Sequence, residues 1–195
     1  HATEHSATAY GHRARATGEN STAVGNRAAA SEGSAVAIGD SSAASAENAI
    51  AFGTGAIATQ IRAIAVGQNT HAIGSDAIAI GTNANAATGN ALAVGKGALV
   101  TAGNAAAFGL NATATGTSSL ALGHNANALA NMATAIGSSS NALGVNSSAF
   151  GNASNASGIS ATAIGDSAKA TSENSLALGR STVASAVGSV AVGNS

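Results

Sequence analysis

The chain has no cysteine, no proline and no tryptophan among its 195 residues. Without cysteine there is no disulfide, no thiolate metal site and no cysteine nucleophile. Without proline, every backbone N–H is available to a continuous strand ladder. Aromatic residues make up 2% of the chain, one Tyr and three Phe, which leaves little material for a conventional core of large side chains. Charged residues make up 8%, and 7 basic against 8 acidic residues give a net charge of -1. No block of like charge points to nucleic acid or a membrane surface as partner. No apolar run reaches the roughly 18 residues that a membrane-spanning helix requires. No signal-peptide pattern starts at His1, so the expectation is a mature or excised segment. The apolar 45% is mostly alanine. One copy therefore buries little area per residue, and self-association is the expected way to add burial.

What is present is a period. Glycine recurs every 14 residues from Gly11 through Gly25, Gly39 and Gly53 to Gly193, and 14 of the 25 glycines lie on that register. Positions within the repeat are counted from this glycine as zero. Position +13 is always large and apolar, +12 is always Ala, and +10 is always Ala or Ser. Position +3 is Ala, Ser or Thr, and +5 is Ala except at Val100. Such regularity is the signature of a solenoid, in which each repeat is one turn docked on the last.

The alternation within each repeat has period two, which predicts two short strands per turn rather than helix. Repeated glycine together with Ser, Thr and Asn disfavours helix further. The periodic glycine is expected to end a strand in a backbone conformation that other residues avoid. A second turn is expected over +7 to +9, where Asn20, Asn48, Asn90, Asn104, Asn146 and Asn174 occupy +9 and tolerate the left-handed region. Stacked asparagines there could form a ladder. Every Asp, Glu, Lys and Arg falls at +1, +2, +4, +7, +8 or +9, which marks those positions as the solvated surface. Small residues at +3 and +5 are expected to let the strands approach, with the +11 and +13 side chains filling the interior. The smooth +10/+12 face, or its rim, is then expected to pack against other copies.

These features resemble the YadA-like head of trimeric autotransporter adhesins, whose 14-residue repeat carries Asn-Ser-Val-Ala-Ile-Gly. The matching segments are Asn20–Gly25, Asn48–Gly53, Asn90–Gly95, Asn146–Gly151 and Asn174–Gly179, with the following half-motif at Ser140–Gly144 and Ser154–Gly158. The resemblance runs over the whole chain, residues 1–195 as a single head domain. It implies an all-β, left-handed parallel β-roll of about 14 turns, with two short strands per turn, assembled as a homotrimer. It also implies a bacterial cell-surface adhesin that binds extracellular matrix proteins such as collagen, fibronectin and laminin, or host cells. Such a head reaches the outer membrane through a C-terminal anchor, and no neck, coiled-coil stalk or anchor barrel is evident in this sequence.

Candidate sites are few. His1, His5 and His12 cluster near the start, but no carboxylate or cysteine spacing supports a metal, and loose terminal residues explain them better. His71 and His124 fall at surface positions. Serines sit where the repeat explains them, so no nucleophile is assigned. No phosphate loop and no calcium repeat is present. The expectation is therefore no enzyme, no cofactor and no metal, with ligand-binding residues not assignable. Phe52, Phe108 and Phe150 lie at +13 and are expected to fill the core, with Tyr10 as a cap or a solvent-facing hydroxyl. Ile61, Ile73, Leu110, Leu129, Met132, Leu143, Val145, Ile159 and Val187 break the small, polar pattern of the variable positions. They are read as contacts to a neighbouring subunit before contacts to a ligand. A rigid spacer that presents another adhesive domain is the alternative function. Ice binding needs an aligned rank of Thr, which Ile73, Ala87, Leu129 and Leu143 interrupt at +6.

Overall fold

The structure, a computed structural model, describes residues 1–194. The chain divides into two compact units, His1–Gly97 and Ala98–Ser195. Each is a parallel β-solenoid, and the described residues contain no helix. In the first unit, seven three-residue strands, Thr8–Tyr10 through Leu92–Val94, alternate with six two-residue strands, Arg15–Ala16 through Asn85–Ala86. In the second, seven two-residue strands, Leu99–Val100 through Val183–Ala184, alternate with seven three-residue strands, Ala106–Phe108 through Val190–Val192. Each strand pairs in parallel with its equivalent one repeat away, so the long strands form one sheet of each unit and the short strands the other. Thus Val36 lies beside Ile50, Ala37 beside Ala51 and Ile38 beside Phe52.

The repeat is built from two turns of the same kind. Ala14 N–H donates to Gly11 O at 3.3 Å and Ser21 N–H to Gly18 O at 3.2 Å, closing four-residue turns at 0 to +3 and +7 to +10. The third residue of each turn has positive φ, between 52 and 59° in every non-glycine case. The +9 asparagines behave as expected from their tolerance of this region. The same requirement at +2, met by Asn69, Asn83, Asn111 and Asn125 and by Gly55 and Gly97, is an addition from the structure. The periodic glycine has a different conformation, with φ of 134° at Gly39, which only glycine adopts readily.

The faces of the long strands are the reverse of the expectation. Among the described residues, the buried apolar core is alanine at +3, +5, +10 and +12, joined by Val100. The large residues at +11 and +13 point outward and are half-buried or exposed. Phe52 is 51% exposed, and Phe108 and Phe150 are half-buried, so none of them fills the core. The physical reason is the separation of the two sheets. A repeat of 14 residues, with only five of them in strands and the rest in turns or at their borders, brings the sheets so close that Ala-sized groups fill the gap. Period two then forces +11 and +13 outward once +10 and +12 face in.

Small hydroxyls share this interior; several are satisfied locally, whereas the Oγ atoms of Ser21, Ser119 and Ser147 have no hydrogen-bond partner among the described residues. Ser42 Oγ donates to Gly39 O at 2.9 Å, Ser140 Oγ to Gly137 O at 2.8 Å and Ser154 Oγ to Gly151 O at 2.9 Å. Adjacent turns are tied by main-chain bonds such as Gly25 N–H to Tyr10 O and Gly39 N–H to Val24 O, both 2.8 Å.

The close stacking of turns makes one substitution decisive. A Cβ on Gly39 would lie 2.5 Å from the carbonyl carbon and oxygen of Gly53, at a φ unsuited to other residues. Gly33 has no such constraint, since its added Cβ would meet nothing closer than 4.0 Å. Gly39→Ala is expected to destabilise by at least about 3 kcal/mol. Gly33→Ala is expected to change stability by no more than about 1 kcal/mol, in the stabilising direction. Chemical denaturation of the two variants checks the contrast, and equal effects would refute it.

Candidate interaction surface

The long-strand sheet carries on its outer face two in-register columns. In the first unit the +13 column includes Ile38, Phe52, Val66, Ile80 and Val94, each beside the next. The +11 column beside it includes Val36, Ile50, Ile64, Ile78 and Leu92. In the second unit the +13 column runs Phe108, Leu122, Ile136, Phe150, Ile164, Leu178 and Val192. Its +11 column mixes Leu120, Leu176 and Val190 with Thr134, Ser148 and Thr162. A contiguous apolar strip of this kind is rare on a monomeric surface and marks an interaction site. The +12 alanines expected on an outward smooth face are instead beneath it.

The short-strand sheet has a different outer face. Position +4 carries Ala29, Ala43, Ile57, His71 and Asn85 in the first unit, and Asn127, Asn141, Asn155 and Lys169 in the second. Asn127 Nδ2 donates to Asn141 Oδ1 at 3.0 Å and to Asn125 O at 3.1 Å, and Asn141 Nδ2 donates to Ser139 O at 2.9 Å. One amide rung therefore joins adjacent turns on the sheet at +4, outside the +9 turn column considered from sequence, while Asn155 Oδ1 in the next turn has no partner among the described residues.

The two turn edges carry the charge. Every Asp, Glu, Lys and Arg is exposed except Asp76, which is half-buried, as the positional rule anticipated. On the 0 to +3 edge, His12 Nδ1 lies 3.2 Å from Asn26 Oδ1, and Asn26 Nδ2 donates to Asp40 Oδ1 at 2.9 Å. On the opposite edge, Arg62 Nε and Nη2 donate to Asp76 Oδ1 and Oδ2 at 2.6 and 2.7 Å. This bidentate pair raises the affinity of Arg62 for its proton. It holds Asp76 below the ordinary carboxylate range, chiefly through the hydrogen bond from Arg62, against partial desolvation.

His1, His5, His12 and His124 are exposed and His71 is half-buried. No group of three or more potential ligands that could hold a metal ion occurs among the described residues. Tyr10 is 76% exposed at the first long strand. Ile61, Ile73, Leu110, Leu129, Met132, Leu143, Val145, Ile159 and Val187 are all exposed, most of them along the +6 to +9 edge. Sequence reasoning missed the outward +11/+13 columns. The one sequence signal that could have found them is the strict alanine at +12, since the position that tolerates nothing larger is the confined one.

The family model for the YadA head domain repeat matches residues 2–28, 30–56, 44–70, 58–84, 72–98, 101–126, 114–140, 128–154, 142–168, 156–182 and 170–195. A crystal structure described as the collagen-binding domain of the Yersinia adhesin YadA is 24% identical, covering 97% of this chain and 72% of that one, with a TM-score of 0.30. No curated protein matches the chain.

The Arg62–Asp76 pair generates a pH prediction. A carboxylate whose folded value is lowered contributes stability that is present above its unfolded value and lost as pH falls through the lowered folded value. Unfolding midpoints followed down through the acid range should therefore decline less for Asp76→Asn than for the parent chain, by a small amount because the pair is exposed. Parallel acid limbs would show that the pair adds nothing.

Proposed function

The chain belongs to the YadA head family, and from that premise we propose that residues 1–195 form one adhesive head of a homotrimeric surface adhesin. The observation that carries this reading is the apolar +11/+13 columns on the outer face of the long-strand sheet of each unit. A single chain leaves these side chains in contact with water. Side-by-side association of copies removes them, and the alanine interior gives one copy little burial of its own. Closed rotation of three copies buries one such face from each.

With the apolar face turned inward, the short-strand faces of the three copies remain for a ligand. Their small side chains, asparagines and scattered charges offer many weak contacts, repeated at the spacing of adjacent strands, about 4.8 Å. Three copies multiply weak contacts by avidity. The ligands in this reading are extracellular matrix proteins, with triple-helical collagen first because it too presents a long repeating surface, then fibronectin, laminin and host cells. The head takes no cofactor and performs no catalysis in this reading. It sits at the bacterial surface in this reading. The alternative, a rigid spacer presenting another domain, rests on the charge-poor, interchangeable repeats.

Two outcomes are expected. Phe52→Ser with Ile80→Ser leaves the alanine core intact, so the chain stays folded by circular dichroism while its trimer dissociates at concentrations about 10-fold higher or more, since a few large apolar groups dominate an interface. Sedimentation equilibrium reads this, and an unchanged mass would remove the apolar face from the assembly. The trimeric parent chain is expected to bind immobilised triple-helical collagen saturably, and Asn127→Glu with Asn141→Glu to weaken that binding about 10-fold or more through loss of avidity. A verified trimer that binds no collagen, fibronectin or laminin favours the spacer.

A further inference from the structure

The charges of the first unit are sorted between its two turn edges. Arg13 and Arg27 stack at +2 on the edge that leads from the long-strand sheet to the short-strand sheet, and Arg15 follows at +4 on the outer face of the short-strand sheet. Glu19, Glu32 and Glu47 occupy +8, +7 and +8 on the opposite edge. All six are exposed. Among the described residues, no ion pair joins any of these arginines to a carboxylate, whereas Arg62 on the acidic edge is neutralised by Asp76. Two rows of like charge, each stacked at strand spacing, are unfavourable in an isolated chain. The apolar +11/+13 face lies between the two edges.

We propose that the arginine pair Arg13 and Arg27 and the glutamate row Glu19, Glu32 and Glu47 form a charge clasp between neighbouring copies of this chain running in the same direction. The inference rests on the trimeric reading above. When copies related by a closed rotation along the stacking direction bury their apolar faces, the contact is heterologous, and one edge of a copy meets the opposite edge of the next. The basic row then faces the acidic row at the same level, with Arg27 between the levels of Glu19 and Glu32. A face-to-face copy running the other way superposes like edges and brings neither row against the other. The +13 column, large and apolar in every turn, does not distinguish these two arrangements, so the charges select the direction of association. Asp40 opposes the clasp. It lies on the basic edge, held by Asn26 at 2.9 Å and Ser41 at 3.1 Å, and faces the level of Glu47.

The test is sedimentation equilibrium of the full chain and of exposed-edge variants, with circular dichroism confirming the fold. Arg13→Glu with Arg27→Glu, and separately Glu19→Lys with Glu32→Lys, should each weaken association about 10-fold or more, and all four substitutions together should restore it to within about 3-fold. Asp40→Asn should strengthen association, and added salt should weaken that of the parent chain. These last two measurements do not depend on the reversed variants folding. Silent reversals, or a folded fourfold variant as weak as its parts combined, overturn the clasp while leaving a trimer that buries its apolar face. A parent chain that sediments as a monomer overturns the trimeric reading and the clasp together.

Discussion

The structure depends on how little room there is between its two sheets. Each turn folds back so tightly that +3, +5, +10 and +12 admit Ala, Ser or Thr and, at Val100, one slightly larger group. Close packing leaves no tolerance for more. The periodic glycine belongs to the same constraint, since successive turns stack carbonyl against Cα at that corner. The remaining corners are made by a positive φ at +2 and +9, supplied mostly by Asn, Ser and Gly. These requirements together produce the 14-residue period.

An alanine interior cannot hold the chain's larger apolar residues, so they are displaced to the outside. The outcome is a domain with two apolar layers, a dry inner one of methyl groups and an outer one of Val, Ile, Leu and Phe. The outer layer gives one face a reason to associate. The other face keeps amides and small groups, and the edges keep the charge. Met132 and Ala153 adopt the left-handed turn conformation without the side chains that favour it, which shows how firmly the neighbouring turns impose the geometry.

Much of this was legible in the residues. The period, the two strands per turn, the special glycine, the Asn at +9 and the exposure of every charged position follow from local rules about alternation, turns and solvation. The resemblance to YadA-like heads, carried by segments such as Asn48–Gly53, agrees with the family matched along the chain. The left-handed requirement at +2 is signalled by Asn69, Asn83, Asn111 and Asn125 but masked by Arg13 and Arg27, which share that position. The amide bond from Asn127 to Asn141 was not legible, since it depends on side chains on neighbouring turns facing the same way.

The sequence by itself determined the repeat, its strands and its turns, because these depend on interactions within a few residues and on a period that admits no slip. Tertiary structure decided which side of each long strand faces inward. Alternation separates +11 and +13 from +10 and +12, but it gives no sign of which pair is buried. That choice is made by the distance between two sheets, and Phe52 lies outside because the distance accommodates only Ala51 beside it.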